Sequence, residues 1–302
     1  MTVPRFLTFA ALAILTLHGA DSVRAGAAAP ATRPSHFQCY DVGRESLDQR
    51  AVSLVDDFGP STVNVRRPKL LCAPVNKNNE DPTAPGDADH LVGYEIRRGD
   101  PRFEERSEVV VEDQFGTLVL DLRRPDRLLV PSAKGLTDPP SPLDPPLVDH
   151  YQCYAVRGDR RRVAGVSVED QFGTGTTHIK KPLRLCLPVD KQGEGILDGA
   201  ARLMCYRIKS GPRVNQTVFV DNQIAAGPLK VRRARELCVP TAAPTACCDP
   251  LTEPGQHQNP LCLEGHACCP DSGEWSCSIG DGKTFICGGQ QTTGPFGSTC
   301  SP

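Results

Sequence analysis

The chain has 302 residues and a formal net charge of −2 at pH 7, so its overall charge gives no sign of a nucleic-acid partner. Fourteen Cys, 28 Pro and 27 Gly stand beside only ten Phe, five Tyr and one Trp. That balance points away from a single large aromatic core and towards many turns around small cores that need crosslinks.

Residues 1–25 are predicted to be a secretory signal. Arg5 supplies the charged start, Phe6 to Leu17 the apolar run, and the small residues around Ala25 the cleavage sites. The run is shorter than the roughly 20 residues a membrane-spanning helix needs, and no later stretch is a better candidate. The expectation is export without a membrane span, to the cell surface, the medium or the periplasm. The many Cys suit such an oxidising destination.

From His36 onward one unit occurs four times, at 36–77, 90–134, 150–191 and 202–240. The units open on His36-Phe-Gln-Cys-Tyr40, His90-Leu-Val-Gly-Tyr94, His150-Tyr-Gln-Cys-Tyr154 and Arg202-Leu-Met-Cys-Tyr206. Their centres are Asp56-Asp-Phe-Gly59, Asp113-Gln-Phe-Gly116, Asp170-Gln-Phe-Gly173 and the altered Asn222-Gln-Ile-Ala225. They close on Cys72, Leu129, Cys186 and Cys238, each followed two residues later by Pro74, Pro131, Pro188 or Pro240. Lys77, Lys134 and Lys191 follow in the first three.

Opening and closing Cys lie 33 residues apart in copies one, three and four, and the central Phe or Ile lies 14 residues before the closing position in all four. The second copy lacks both Cys, with Gly93 and Leu129 in their places. Joint loss is the behaviour of a bonded pair, which predicts Cys39–Cys72, Cys153–Cys186 and Cys205–Cys238. Each would close a loop worth about 3–4 kcal/mol in the chain-entropy view.

Within each copy apolar residues alternate: Val52, Leu54 then Val63, Val65; Val109, Val111 then Leu120, Leu122; Val166, Val168 then Thr177, Ile179; Val218, Val220 then Leu229, Val231. Period two with β-branched residues predicts half-buried strands. Each copy reads as three or four short strands, with Asp-Gln-Phe-Gly as a turn whose Gly takes positive φ. Pro68, Pro125 and Pro182 are read as strand starts or edges, because proline cannot donate to a ladder.

One unit of this size cannot cover its own sheet face, so copies are expected to pair. The stretch Gly135 to Asp149 is Pro-rich and reads as a semi-rigid spacer. The expected architecture is all-β. It has two homologous pseudo-twofold β-sandwich or small-barrel domains, 36–134 and 150–240, joined by the 135–149 linker. A single closed four-unit assembly is the alternative.

A small disulfide-rich domain is expected at 241–302, holding Cys247, Cys248, Cys262, Cys268, Cys269, Cys277, Cys287 and Cys300. Eight Cys allow 105 pairings and the sequence selects none. Adjacent Cys do not suit zinc spacing, so no metal or cofactor is assigned.

At these motifs, over residues 36 to 240, the chain resembles an uncharacterised family of exported bacterial repeat proteins. The shared pattern is H-x-x-C-Y … D-Q-F-G … P-x-x-L-C-x-P-x-x-K, and the Cys-rich tail is similar to segments of related proteins. The resemblance implies export and repetition and no activity, since the domain has no known function.

The recurring polar residues admit three chemical readings. His36, His90 and His150 would bind metal only if the copies converged there; a plain strand-start residue is the simpler reading. Asp56, Asp113 and Asp170 would serve Ca²⁺ only with six to eight oxygens; turn capping is simpler. The basic doublets supply Arg66, Arg123, Lys180 and Arg232 to a candidate ridge for an acidic glycan or lipid headgroup, against the simpler role of edge charges.

Catalytic residues usually break internal symmetry, whereas these respect it. No catalytic residue is assigned. The sequence therefore reads as a non-enzymatic exported binding or structural protein, its partner a cell-envelope glycan or another exported protein. Inhibition of a secreted hydrolase through the Cys-rich tail is the alternative.

Overall fold

Alternation in the sequence becomes alternation of burial. In β2 (Arg50–Asp56) only Val52 and Leu54 are buried, and in β13 (Arg213–Asp221) only Val218 and Val220. The computed structural model describes residues 36–43, 46–209, 213–242, 284–287 and 290–293. The predicted signal segment, and the tail cysteines apart from the backbone at Cys287, lie outside the described residues. All four copies fall in one compact unit.

Each copy contributes an opening strand, an inner strand and a long strand. These are β1 (Phe37–Val42), β2 and β3 (Gly59–Pro74) in the first copy, and β5 (His90–Asp100), β6 (Arg106–Asp113) and β7 (Gly116–Gly135) in the second. The third copy has β8 (Tyr151–Gly158), β9 (Val163–Asp170) and β10 (Gly173–Pro188), and the fourth β12 (Arg202–Ile208), β13 and β14 (Ala226–Ala242). Short strands β4 (Asn76–Lys77) and β11 (Asp190–Lys191) follow the first and third long strands. A separate hairpin, β15 (Thr284–Cys287) with β16 (Gln290–Thr293), lies in the tail.

The expected return and closing strands are one continuous strand in every copy. Pro68 and Pro125 lie inside β3 and β7, at register shifts between Val65 and Pro68 and between Leu122 and Pro125. Pro182 in β10 sits between two such shifts. A bulge leaves one residue out of the ladder, so it accepts a proline without ending the strand. These prolines therefore mark bends and not the strand starts read from the sequence.

The expected division at 135–149 does not part the sheet. Every long strand pairs with the opening strand of its own copy and of the next: β1–β3, β3–β5, β5–β7, β7–β8, β8–β10, β10–β12, β12–β14 and β14–β1, all antiparallel. The eight strands close a ring. The Pro-rich stretch joins two hydrogen-bonded neighbours, Leu122 facing Val156 and Leu129 facing Tyr151. In place of two pseudo-twofold pairs, the four copies form one fourfold circle. The physical reason is edge saturation. A two-copy sheet leaves the far edges of its outer strands bare, whereas an eight-stranded closure removes them and leaves an interior that side chains just fill.

That interior holds Phe37, Leu91, Tyr151 and Leu203 at one repeat position, with the three disulfides above them. Cys39–Cys72, Cys153–Cys186 and Cys205–Cys238 are bonded. Bridges of neighbouring copies touch, with Cys39 Sγ 3.7 Å from Cys238 Sγ and Cys186 Sγ 3.8 Å from Cys205 Sγ. The second copy fills its quarter differently. A Cβ placed on Gly93 would lie 3.0 Å from Leu129 Cδ2, so Leu129 occupies the space a bridge takes elsewhere. The two absent Cys are thus one exchange of volume.

The other face of the ring strands joins the inner strands in a larger core that includes Tyr40, Tyr94, Tyr154, Tyr206, Val52, Val111, Val168 and Val220. Copies opposite one another across the circle also pair. β4 meets β9, β11 meets β2, the end of β7 meets β13, and the end of β14 meets β6.

Candidate functional site

The repeat motifs meet between copies. In each Asp-x-Phe-Gly turn the Asp Oδ1 accepts the backbone N–H two residues on, at 2.9 Å for Phe58, 2.7 Å for Phe115 and 2.8 Å for Phe172. Asn222 does the same for Ile224 at 2.9 Å. Gly59, Gly116 and Gly173 follow with positive φ, and two residues link the paired strands. The fourth copy has Ala225 instead of glycine, and its turn opens to four residues, with Asp221 facing Ala226. An L-residue with a Cβ avoids the left-handed region.

The second oxygen of each Asp, and the one side-chain oxygen of Asn222, takes a tyrosine hydroxyl from the copy opposite. Tyr154 donates to Asp56 at 2.5 Å, Tyr40 to Asp170 at 2.5 Å, Tyr206 to Asp113, and Tyr94 to Asn222 at 3.1 Å. Gln38 and Gln152 add bonds to Tyr40 and Tyr154. Burial raises the carboxyl pKa of Asp113 and Asp170, and that of Asp56 to about 6, with the tyrosine bonds opposing the shift. Burial also pushes the tyrosine hydroxyls up, Tyr94 to about 12. Both oxygens of Asp56, Asp113 and Asp170 are engaged within the fold, which is the turn-capping role with a cross-ring bond added.

His36 and Arg202 instead meet the turn of the next copy around the circle. His36 Nε2 lies 2.7 Å from Gln114 Nε2, and Arg202 donates to Asp57 at 2.8 Å. Lys77 stands 5.8 Å from the Phe115 ring centre and Lys134 5.1 Å from that of Phe172, while Lys134 also donates to Gln171. His36, His90 and His150 are held to pKa values of about 4 by burial and, next, by the neighbouring Lys77, Lys134 and Lys191 charges. They stand one per copy interface, apart from one another. Among the described residues no set of three His, Cys, Asp or Glu is placed to hold a metal ion. No helix there is long and apolar enough to cross a membrane.

The basic doublets all lie at the bulges of the long strands, beside the last residues of the next copy's opening strand. Arg66 lies between Val65 and Pro68, Arg123 between Leu122 and Pro125, Lys180 between Ile179 and Lys181, and Arg232 between Val231 and Ala234. Their surroundings differ. Arg66 and Arg123 are half-buried, with Arg123 3.1 Å from Glu105, while Lys180 and Arg232 are exposed. Inside this end of the ring, Arg184 is clamped by Asp126 at 2.7 Å and Glu236 at 2.5 Å. Glu95 takes Arg97 at 2.9 Å, Lys69 at 3.4 Å and Arg67 at 3.7 Å. Asp41 holds Arg235.

Sequence reading placed the doublets but not their neighbours. Arg207, Lys209 and Arg213 carry no motif, and only strand register sets them beside Lys181 and Arg233. The one available signal was the repeat alignment, which puts Arg207 where the second copy has Glu95.

Residues 90–197 match a protein family described as "Repeat of unknown function (DUF7450)". That span takes in the second and third copies and the Pro-rich segment between them. No curated protein and no solved structure matches the chain.

Proposed function

We propose that this chain is a non-enzymatic binding or structural module that works outside the cytoplasm, with the ring as a rigid platform. One observation carries the reading. The repeated tyrosines and turn residues are engaged in joints between copies, as in Tyr154 to Asp56, Tyr40 to Asp170 and Tyr206 to Asp113. Groups held in a symmetric scaffold are poorly placed for a reaction, which needs an unshared pairing of acid, base or nucleophile. The three disulfides suit an oxidising compartment.

The test is a binding screen of the purified oxidised chain against envelope glycans and exported proteins, run beside a panel of hydrolase substrates. Saturable binding without turnover is the expected result. Catalytic turnover that survives repurification would overturn the reading. Inhibition of a secreted hydrolase by the tail alone would replace it with the inhibitor role.

A further inference from the structure

Two of the ring's four copy-to-copy seams differ in how their cations are paired. Between the first and second copies, Arg67, Lys69 and Arg97 share the Glu95 carboxylate. Between the third and fourth copies the same places hold Lys181 and Arg207, which face each other in register. Lys180 is adjacent in sequence, and the Lys209 backbone bonds His178 across the same two strands. A second like-charge pair, Arg213 facing Arg233, lies on the fourth copy's own hairpin. Glu236, directly opposite Arg207, links the two pairs along β14. Its carboxylate is already bonded to Arg184, and that of Asp41 to Arg235.

Lys180, Lys181, Arg207, Lys209 and Arg213 are exposed and Arg233 is half-buried. Among the described residues none of the six forms an ion pair. Like charges directly opposite across strands destabilise a sheet. Protection of a bare edge does not explain Arg207, which is paired with Lys181 on one side and Glu236 on the other; Lys181 is paired with β12 and lies, on its other side, between the ends of the β9 and β8 ladders. An uncompensated basic seam inside a paired sheet is what a bound polyanion would neutralise.

We propose that this seam binds an anionic polysaccharide, whose carboxylate, sulfate or phosphate groups are taken by Lys180, Lys181, Arg207, Lys209, Arg213 and Arg233. The proposal rests on the binding-module reading and names its ligand class. Single-stranded nucleic acid fits less well, because its readers stack bases on aromatic rings and no aromatic side chain described within residues 36–242 is exposed. A membrane surface fits less well too. The exposed large apolar residues are Val55, Val119, Leu136, Leu147, Ile196 and Leu197, none of them on the seam.

The test uses the full chain in a biosensor assay with three immobilised probes: heparin, polygalacturonate, and a single-stranded oligonucleotide of matched charge. Neutral dextran is the blank. Saturable binding to heparin or polygalacturonate, tighter than to the oligonucleotide and weakened by salt, is expected. Arg207→Glu places a carboxylate where the first–second seam has Glu95 and should weaken binding about tenfold or more. Lys180→Gln with Lys181→Gln gives an independent loss without charge reversal. Arg102→Glu, an exposed arginine away from the seam, should leave binding unchanged. Each variant is checked for an unchanged melting curve. No binding to either polysaccharide, equal loss with Arg102→Glu, or tighter binding to the oligonucleotide would overturn the proposal. A neutral glycan or protein ligand found in the wider screen would sink this inference while leaving the binding module standing.

Discussion

Replacing Tyr154 by Phe removes the hydroxyl that makes one cross-ring bond. The ring stays packed against Phe58 and Phe103, whose centres lie 4.9 Å and 4.7 Å away; the bond to Asp56 is lost, and with it the one accepted from Gln152, whose loss counts equally at every pH because neither Gln152 nor the Tyr154 hydroxyl titrates in the range used. A hydrogen bond to a charged group contributes about 1.5–3 kcal/mol and a neutral one about 0.5–1.5 kcal/mol. Asp56 carries a folded pKa of about 6 against an ordinary 3.8. The folded state therefore binds more protons between about pH 4 and 6, and this group's contribution to stability falls as pH rises through that window. Without the hydroxyl the carboxyl pKa rises further, and the window extends upward. The variant should thus lose about 2–3 kcal/mol at pH 8, where Asp56 is ionised, and about 1 kcal/mol at pH 4.5, where it is protonated. Tyr94→Phe is the control, because its acceptor Asn222 does not titrate; it should cost about 1 kcal/mol at both pH values. Urea unfolding followed by far-ultraviolet circular dichroism at the two pH values measures both. Equal losses for Tyr154→Phe at both pH values, or the same pH trend in Tyr94→Phe, would refute the reasoning.

Three further outcomes are expected. Gly93→Ala forces a Cβ against Leu129 and against Leu70 Cβ, 3.1 Å away. It should destabilise by about 1–3 kcal/mol, read from the urea midpoint. His36, His90 and His150 have folded pKa values near 4, below the ordinary 6.5. Their contribution is complete above pH 6.5 and lost as pH falls towards 4; the buried carboxyls of Asp56, Asp113 and Asp170, with raised pKa values, work in the opposite sense. His90→Asn should therefore remove one destabilising proton uptake, so that its melting temperature falls less between pH 6.5 and 4 than that of the parent chain. Peptide mapping of the oxidised chain should recover Cys153 joined to Cys186. The paired change Cys205→Ser with Cys238→Ser should lower stability by about 3 kcal/mol.

Much of the local order was readable because it depends on neighbours along the chain. Strand alternation at Val52 and Leu54 and the glycine turn at Gly59 each need only a few residues to specify. The paired loss at positions 93 and 129 carried a longer-range message, since one volume must replace another inside a filled interior. The basic doublets could be placed in each repeat, but not the charges opposite them.

The four-copy circle was less legible. A proline-rich stretch has the same composition whether it separates two domains or crosses between bonded strands. Which unit takes the free edge of β7 is decided by eight-strand closure and not by any residue near Pro139. The Tyr154–Asp56 bond joins positions 98 residues apart, and repetition hides the choice because every copy offers the same Tyr and the same turn.

By itself, then, the sequence determined strand, turn and bridge, where the interacting groups lie within one unit. Only the tertiary structure decided which copies touch. Four near-identical edges compete for the same partners, and only closure of the whole sheet, with its interior filled and its edges bonded, makes one arrangement lower in free energy than the others. The basic seam at Lys181 and Arg207 follows from that closure, which brings together two like charges that no local pattern connects.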